Sequence, residues 1–417
     1  MSDASERGNG GFVQRVTATA FGPYQTAVVR IGFAATWLLF LLRELPNRHE
    51  MYGPQGPWSW EMGRRLISGN DAFTALMWSD STLWFEVVYA VAVLSSALLM
   101  VGWRTRTMSA LFMIGVLSLQ NRSIFMGDGG DNVIHLMAIY LVVTRCGQVW
   151  SLDARRAARA TERESGSRES GVPEAGARMP EAPMPAVQQT DRVGPLLWTV
   201  LGTGLVIATF LNETGWFILL LLWVLWVGQG LWWMANRRAP RGEPRILLDA
   251  LANFSHNAGL VVIMAEVCLI YATAGWYKIQ GSRWQDGTAL YYPLKLDYFT
   301  PWPALSDLLA SGGLMVMVLT YGTVVVQVAF PFTLFNRRVK NVLLAAMMLE
   351  HAGIALLLGL PFFSLAMIAA DAVFLPTAFL VWLGARVVRG RDRLFSRAPA
   401  VPEQRQESPE QPRTLVG

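Results

Sequence analysis

Long apolar runs separated by short charged segments constrain this chain of 417 residues more than any other feature. A helix that crosses a bilayer needs about 20 mostly apolar residues, and ten runs approach that length. They lie at residues 24–43, 82–102, 106–120, 131–146, 194–212, 214–235, 254–278, 311–335, 339–360 and 361–385. Only 16% of the residues are charged, whereas soluble domains contain about 25%. The sequence therefore predicts an all-α, polytopic transmembrane bundle of about ten spans.

The Lys and Arg residues predict the orientation, because they are enriched in cytoplasmic loops. With the N-terminus inside, 25 of the 35 basic residues fall in inside segments and 8 in outside loops, while Arg30 and Arg145 lie within spans. Removing one span would scramble this alternation. We therefore expect a multi-pass protein of the cell membrane with both termini cytoplasmic. The basic residues are explained as topology signals and require no nucleic acid partner.

The same pattern divides the chain into five parts. We expect residues 1–23 to be a cytoplasmic segment without a signal peptide, 24–150 to form a four-span half, and 194–388 to form a six-span half. The segments 151–193 and 389–417 are rich in small, polar and charged residues that cannot bury a core. We expect both segments to be disordered and cytoplasmic.

Ionisable side chains inside the predicted spans are costly in hydrocarbon, so each requires a reason. Among them are Arg30 in the first span, Glu266 in the seventh, Glu350 and His351 in the ninth, and Asp371 in the tenth. One interpretation is a buried ion-pair network, for example between Arg30 and Asp371. The other is a polar chamber around a reaction centre or a proton path, and the two are compatible.

Two segments on the predicted outer face are denser in polar groups. In the first, Asn121 to Asn132, Gly129 and Gly130 allow the backbone to approach a ligand or another helix closely. Asp131 stands where a helix begins, which fits either an N-cap or a functional carboxylate. The second segment closes the seventh span at Lys278. This lysine is either an interfacial anchor at an aromatic belt or a partly desolvated base.

These segments resemble a known family, the horizontally transferred transmembrane (HTTM) proteins, which are relatives of the vitamin K-dependent gamma-glutamyl carboxylase. The likeness runs along most of the chain. The stretches that carry it are Arg30–Gly32, Tyr52–Pro57, Gly102–Arg106, Asn121–Asp131, Trp150–Asp153, Ala274–Lys278, Trp284–Leu290 and His351–Asp371. In the carboxylase, a lysine after Ala-Gly deprotonates reduced vitamin K on the lumenal side. The resemblance therefore implies that Lys278 is a base on the outer face.

The chain also departs from the carboxylase. Asp131 stands where the carboxylase has a histidine at the start of a span, although His135 follows one turn later. The outer loops are too short to form the large lumenal domain that holds the glutamate substrate of the carboxylase. Carboxylation of peptide glutamate is therefore not expected. Other family members serve in the maturation of a bacterial peptide toxin, and fold alone does not fix the reaction.

Three functions remain open at this point. In the first, a reduced isoprenoid quinone enters from the bilayer, Lys278 deprotonates it and Asp131 orients or relays the proton, with a small molecule or peptide as substrate on the outer side. The quinone ring would lie in an apolar pocket, as ligand sites generally provide. The residues expected to form this pocket are Tyr271, Trp276, Trp284 and Tyr291, with Gly129 and Gly130 nearby. No metal or nucleotide is expected.

In the second function the protein is a non-catalytic membrane partner or a peptide-maturation or binding subunit. The glycines would then pack helices and Lys278 would anchor the interface. The third is a proton-coupled transporter that uses Glu266, Glu350 and Asp371. It ranks last because the sequence contains no repeated halves and no pair of matched broken helices.

Overall fold

The structure is a computed structural model that describes residues 3–70, 72–169, 193–211, 215–239 and 242–395. Within these ranges the regular elements are helices, and no strand occurs. The α-helices are α1 (Asp3–Ala18), α2 (Pro23–Glu44), α3 (Arg48–Tyr52), α4 (Trp60–Asn70), α5 (Thr82–Val101), α6 (Thr105–Arg122), α7 (Gly129–Val143), α8 (Leu152–Glu169), α9 (Val193–Leu211), α10 (Trp216–Arg238), α11 (Glu243–Gln280), α12 (Ser282–Gln285), α13 (Tyr291–Lys295), α14 (Pro303–Ser311), α15 (Gly313–Ala329), α16 (Arg337–Leu357), α17 (Pro361–Asp371) and α18 (Thr377–Phe395).

Seven helical segments of the described chain are long and apolar enough to cross a membrane, and the number is eight if α17 and α18 form one broken span. The seven are Pro23–Tyr52, Thr82–Val101, Val193–Leu211, Trp216–Arg238, Glu243–Gln280, Gly313–Thr333 and Arg337–Leu357. The expected all-helical, multi-pass membrane protein is thus confirmed. The predicted third and fourth spans correspond to α6, which has polar ends, and α7, which has only 15 residues. The count of ten spans and the cytoplasmic location of both termini stay predictions.

The tenth predicted span is interrupted. Helix α17 ends at Asp371, a 3-10 turn covers Ala372–Phe374, and Leu375 is extended with φ −63° and ψ 137° before Pro376. Proline has no N–H to donate and disfavours a helical residue before it, so the helix cannot continue. Asp371 therefore stands at the end of a helix rather than in the middle of a span.

The predicted disordered linker differs in its first part, because residues 152–169 form α8. This stretch is rich in Ala, Arg and Glu, which are strong helix formers. Helix α18 also continues to Phe395, past the predicted start of the tail. The remaining linker, 170–192, and the remaining tail, 396–417, lie outside the described residues.

The core of the compact unit formed by residues 1–375 is built around α2. Helix α2 packs against α5, α7 and α17, and its Phe33 and Trp37 are buried. A Cβ atom at Gly32 would lie 2.5 Å from the Cβ atom of Ala369, so only glycine permits this approach of α2 to α17. The apolar side chains of α9 and α10 instead face outward, for example Phe210 and Trp216. Helix α18 belongs to a second unit.

Candidate functional site

A hydrogen-bonded chain links α11, α15 and α16. Lys278 Nζ donates to Gln327 Oε1 at 2.7 Å, and Gln327 Nε2 donates to Glu350 Oε1 at 2.6 Å. The amide of Gln327 is buried, whereas Lys278 and Glu350 are half-buried. The Lys278 amine also lies 5.2 Å from the centroid of the Trp284 ring. Gln327 therefore holds the lysine and the carboxylate at its two ends. We call Lys278, Gln327 and Glu350 the lysine cluster.

A second group, formed by Tyr271, His351 and Asp371, is fully buried. The Tyr271 hydroxyl donates to Asp371 Oδ1 at 2.9 Å and lies 2.9 Å from His351 Nε2. Since its one hydrogen goes to Asp371, the hydroxyl accepts from His351 Nε2–H. In the described chain, Asp371 Oδ2 and His351 Nδ1 are buried without a hydrogen-bond partner. This tyrosine cluster therefore retains unused acid–base capacity, which is uncommon for buried polar atoms.

The two clusters adjoin because of their positions on two helices. Tyr271 and Lys278 are seven residues apart on α11, which is about two turns, so they lie on the same face about 10 Å apart along the axis. Glu350 and His351 are neighbours on α16 and point into the lysine cluster and the tyrosine cluster, respectively. Of the ionisable residues predicted inside spans, Glu350 thus joins the lysine that the resemblance singled out, through Gln327, whereas His351 and Asp371 lie in the adjoining tyrosine cluster.

The contact that joins the lysine cluster was missed in the sequence. Gln327 is a single amide in the apolar run of α15, and it carries no charge that would mark it as costly inside a span. An amide in hydrocarbon also needs a partner, so its presence was the available signal.

Asp131 has a local role in the structure. The N-cap of α7 is Asp128, whose Oδ1 accepts from the backbone N–H groups of Gly130 at 2.7 Å and Asp131 at 3.2 Å. Asp131 Oδ2 accepts from the backbone N–H of Asp128 at 2.8 Å, which completes a capping box. Asp131 is therefore the partner of the N-cap rather than the N-cap itself. Among the described residues no hydrogen bond or ion pair joins Asp131 to Lys278.

Gly129 and Gly130 pack against another helix. A Cβ atom at Gly130 would lie 2.6 Å from the Cα atom of Phe363 on α17, and one at Gly129 would lie 3.4 Å from the Phe363 ring. The centroid of the Phe363 ring is 5.6 Å from that of His351. The glycines therefore allow α7 to approach α17 closely, and Phe363 contacts both this helix end and the tyrosine cluster.

We expect Gly130→Ala to lower the thermal unfolding midpoint and the yield of monodisperse protein, with a loss of about 1–3 kcal/mol, because backbone of α17 blocks the new methyl group. Gly129→Ala is the matched control, since its methyl group would make only an ordinary contact with a ring. Thermal unfolding of both variants in one detergent checks the prediction. Equal midpoints for the two variants would contradict this packing.

The other predicted site residues lie elsewhere. Arg30 Nη2 donates to the carbonyl of Trp150 at 2.7 Å, and Asp371 accepts from Tyr271. The ion pair suggested between Arg30 and Asp371 is therefore not formed in the described structure. Glu266 is half-buried on α11, close enough to Tyr140 of α7 for electrostatic interaction. In the described structure neither Arg30 nor Glu266 contacts the lysine cluster.

The four aromatic residues expected around a quinone ring do not form one pocket. Tyr271 is inside the tyrosine cluster, and Trp284 lies beside Lys278. Trp276 is 62% exposed and Tyr291 is 43% exposed. Of these four residues, Trp284 is the one whose ring lies over the Lys278 amine.

Several motifs that carry the family resemblance have structural roles. Asp153 accepts from the backbone N–H groups of Arg104 at 2.9 Å and Thr105 at 2.8 Å, and so caps α6 from a distant segment. Arg30 reaches the Trp150 carbonyl beside Gly102. The motifs that contain Arg30, Gly102 and Trp150 therefore converge, from α2, the α5–α6 turn and the start of α8. We call the contact of Arg30 with Trp150 and Gly102 the Arg30 clamp.

A second arginine secures an outer-loop motif. Arg122 Nη2 donates to the carbonyls of Trp58 at 2.6 Å and Gly53 at 3.2 Å, while Asn121 Nδ2 donates to the carbonyl of Phe73 at 2.8 Å. The Asn-Arg pair at the end of α6 thus fixes the loop between α3 and α5. These contacts give the Tyr52–Pro57 and Asn121–Asp131 motifs a role in folding.

The segment after Lys278 forms a turn that docks on α15. Asp286 Oδ1 accepts from the Thr288 hydroxyl at 2.5 Å and its backbone N–H at 3.0 Å, and these bonds hold the pKa of Asp286 below its usual value. The backbone N–H of Leu290 donates to Thr320 Oγ1 at 3.3 Å. The turn positions Trp284 over Lys278.

Comparison of the chain with protein-family models, with curated proteins and with solved structures gave no match. The fold therefore defines the class on its own: an all-helical, multi-pass membrane protein. Its candidate site is the pair of adjoining polar clusters on α11, α15, α16 and α17.

Proposed function

We propose that this protein is an HTTM-like membrane enzyme in which Lys278, near the outer membrane face, removes a proton from a reduced isoprenoid quinone. The observation that carries the proposal is the 2.7 Å contact between Lys278 Nζ and Gln327 Oε1. A neutral amide positions the amine without the direct carboxylate contact that would keep it protonated. A lysine held in this way is suited to general-base chemistry.

Each residue of the lysine cluster would have a separate role in this proton transfer. A neutral Lys278 amine keeps one N–H on Gln327 and directs its lone pair at a hydroxyl group about 3 Å away. The Glu350 carboxylate, held 2.6 Å from Gln327 Nε2, stabilises the ammonium that forms. The quinol supplies the acidic hydroxyl, and its later oxidation transfers electrons to dioxygen.

The surroundings of Lys278 fit a quinol in part. Trp284 provides one aromatic wall, and the exposed rings of Trp276 and Tyr277 offer an apolar surface to a lipid-soluble molecule that would arrive from the bilayer. The capping-box contacts of Asp131 do not support a relay role for that residue. Asp371 Oδ2 and His351 Nδ1, which have no hydrogen-bond partner among the described residues, are available to exchange a proton.

The test is quinol oxidation by the full chain in nanodiscs, measured as oxygen uptake and as quinol absorbance, with reduced menaquinone and ubiquinone. We expect Lys278→Met to lower the rate at least about 100-fold, the usual contribution of a positioned base. Lys295→Met is the control, because Lys295 is exposed and pairs with Asp307 at 2.7 Å. Full activity in Lys278→Met would exclude Lys278 as the base.

A second candidate is a non-catalytic membrane subunit. It is supported by the folding roles of the Arg30 clamp, Arg122 and the Gly130 contact, which account for several of the shared motifs. Repeated lipid extraction from the purified protein separates the two candidates. A co-purifying quinone favours the enzyme, and its consistent absence together with no quinol turnover favours the subunit.

A further inference from the structure

A large cavity lies between α5, α6, α9, α10 and the first half of α11. Its volume is about 1290 Å³, and its walls are mainly apolar. Typical wall residues are Val88, Leu111, Ile114, Leu205, Leu222 and Leu225. None of the residues of the lysine or tyrosine clusters lines it. The cavity is therefore separate from the site proposed above.

Three arginines surround one indole ring at one end of the cavity. The guanidinium carbons of Arg106, Arg245 and Arg145 lie 3.8, 4.3 and 5.8 Å from the centroid of the Trp232 ring. Arg106, Arg145 and Trp232 line the cavity itself. Stacking on an indole holds the guanidinium planes in place and leaves their N–H groups available.

The charge at this end is incompletely compensated. Asp249 pairs with both Arg145, at 3.3 Å, and Arg245, while Asn253 and Asn236 accept further hydrogen bonds from these two arginines. Within the described chain, no carboxylate lies within ion-pair distance of Arg106. Asp153 acts on Arg106 from beyond that distance. The three cations thus have one carboxylate, Asp249, in ion-pair contact, and an additional anion would be stabilised here.

The length of the cavity fits an extended hydrocarbon chain. It runs along α6 from Arg106 to Gly115, which packs against Ala92, and then along α5 to Trp84. The rise of 1.5 Å per residue gives about 25 Å for this path. The stacked rings of Trp78 and Trp84, with centroids 5.9 Å apart, stand at the far end.

We propose that this cavity binds one anionic phospholipid, with its phosphate at Arg106 and an acyl chain extended towards Trp84. Arginine matches phosphate geometry through paired N–H donors, and the apolar walls match the acyl chain. The helices α9 and α10 form the outer wall and are joined by reciprocal hydrogen bonds from the indoles of Trp198 and Trp226, at 3.0 and 2.8 Å. Their outward, lipid-facing position allows the lipid to enter sideways from the bilayer.

The test uses the full chain reconstituted with phosphatidylcholine alone or with added phosphatidylglycerol, and native mass spectrometry to count retained lipids. We expect wild type to retain one phosphatidylglycerol per chain in preference to phosphatidylcholine. Arg106→Gln should lower this retention at least tenfold. Arg283→Ala is the control and should leave retention unchanged, because Arg283 is exposed and pairs with Asp286.

A second variant tests the cavity without changing charge. Gly204 lines the cavity, and a Cβ atom there would meet nothing within 4 Å, so Gly204→Leu should fold, fill the space and also lower retention. Equal retention of the two lipids by wild type would overturn the proposal. So would unchanged retention in Arg106→Gln and Gly204→Leu, or displacement of the lipid by millimolar inorganic phosphate, which would indicate a phosphate site only. Because no residue is shared, these outcomes are independent of quinol turnover.

Discussion

Replacing Gly102 with alanine is expected to cost about 3–5 kcal/mol of unfolding free energy, the sum of backbone strain and overpacking. Gly102 has φ +74°, in the left-handed region that side chains with a Cβ atom rarely adopt. A Cβ atom there would also lie 2.3 Å from Arg30 Nη1 and 2.7 Å from the Cα atom of Ser151. The Arg30 clamp holds the backbone next to Ser151 in place, so neither Arg30 nor Ser151 can move away from the new methyl group without breaking that hydrogen bond.

Gly322→Ala is the matched control for this prediction. Gly322 lies in α15, and a Cβ atom there would meet nothing within 4 Å, so we expect a change of less than about 1 kcal/mol, in the stabilising direction. The detergent-extracted wild type and both variants are compared by size-exclusion chromatography and by thermal unfolding. A Gly102→Ala protein with the wild-type midpoint would show that the α5–α6 turn does not pack on α8 as described.

The long apolar helices were largely predictable because a spanning segment is recognised by its length and apolar content. Each of the predicted spans coincides with a helix, apart from the break before Pro376. That break was also readable, since proline inside a predicted span removes a backbone donor. The capping box was likewise present in the sequence as two aspartates, Asp128 and Asp131, three positions apart.

The partners of the polar residues were not predictable, because they depend on tertiary packing between distant segments. Lys278 stood out in the sequence, but its partner Gln327 is 49 residues away on another helix. Tyr271 was expected in an apolar pocket, yet its face of α11 turns towards Asp371, 100 residues further along the chain. The cavity beside α9 and α10 had no sequence signal, since those spans contain ordinary apolar residues.

The tyrosine cluster should behave as one energetic unit. We expect Tyr271→Phe to cost about 2–4 kcal/mol, because it leaves both Asp371 and His351 without their described hydrogen-bond partner in a buried site. Tyr89→Phe is the matched control. The Tyr89 hydroxyl is equally buried but donates only to the Leu41 carbonyl, at 2.6 Å, so its loss should cost about 1 kcal/mol.

A double-mutant cycle with Asp371→Leu distinguishes a coupled cluster from separate contacts. Once Tyr271 is phenylalanine, removing the stranded carboxyl group relieves a penalty, so the double variant should be at least about 1 kcal/mol more stable than additivity predicts. Unfolding midpoints of the four proteins in the cycle give this value. Additive losses, or equal losses in Tyr271→Phe and Tyr89→Phe, would mean that the hydroxyl does not bridge His351 and Asp371. The proton route suggested for the proposed enzyme would then end at the lysine cluster, because Tyr271 is the hydrogen-bonded link between the two ionisable groups of the buried site.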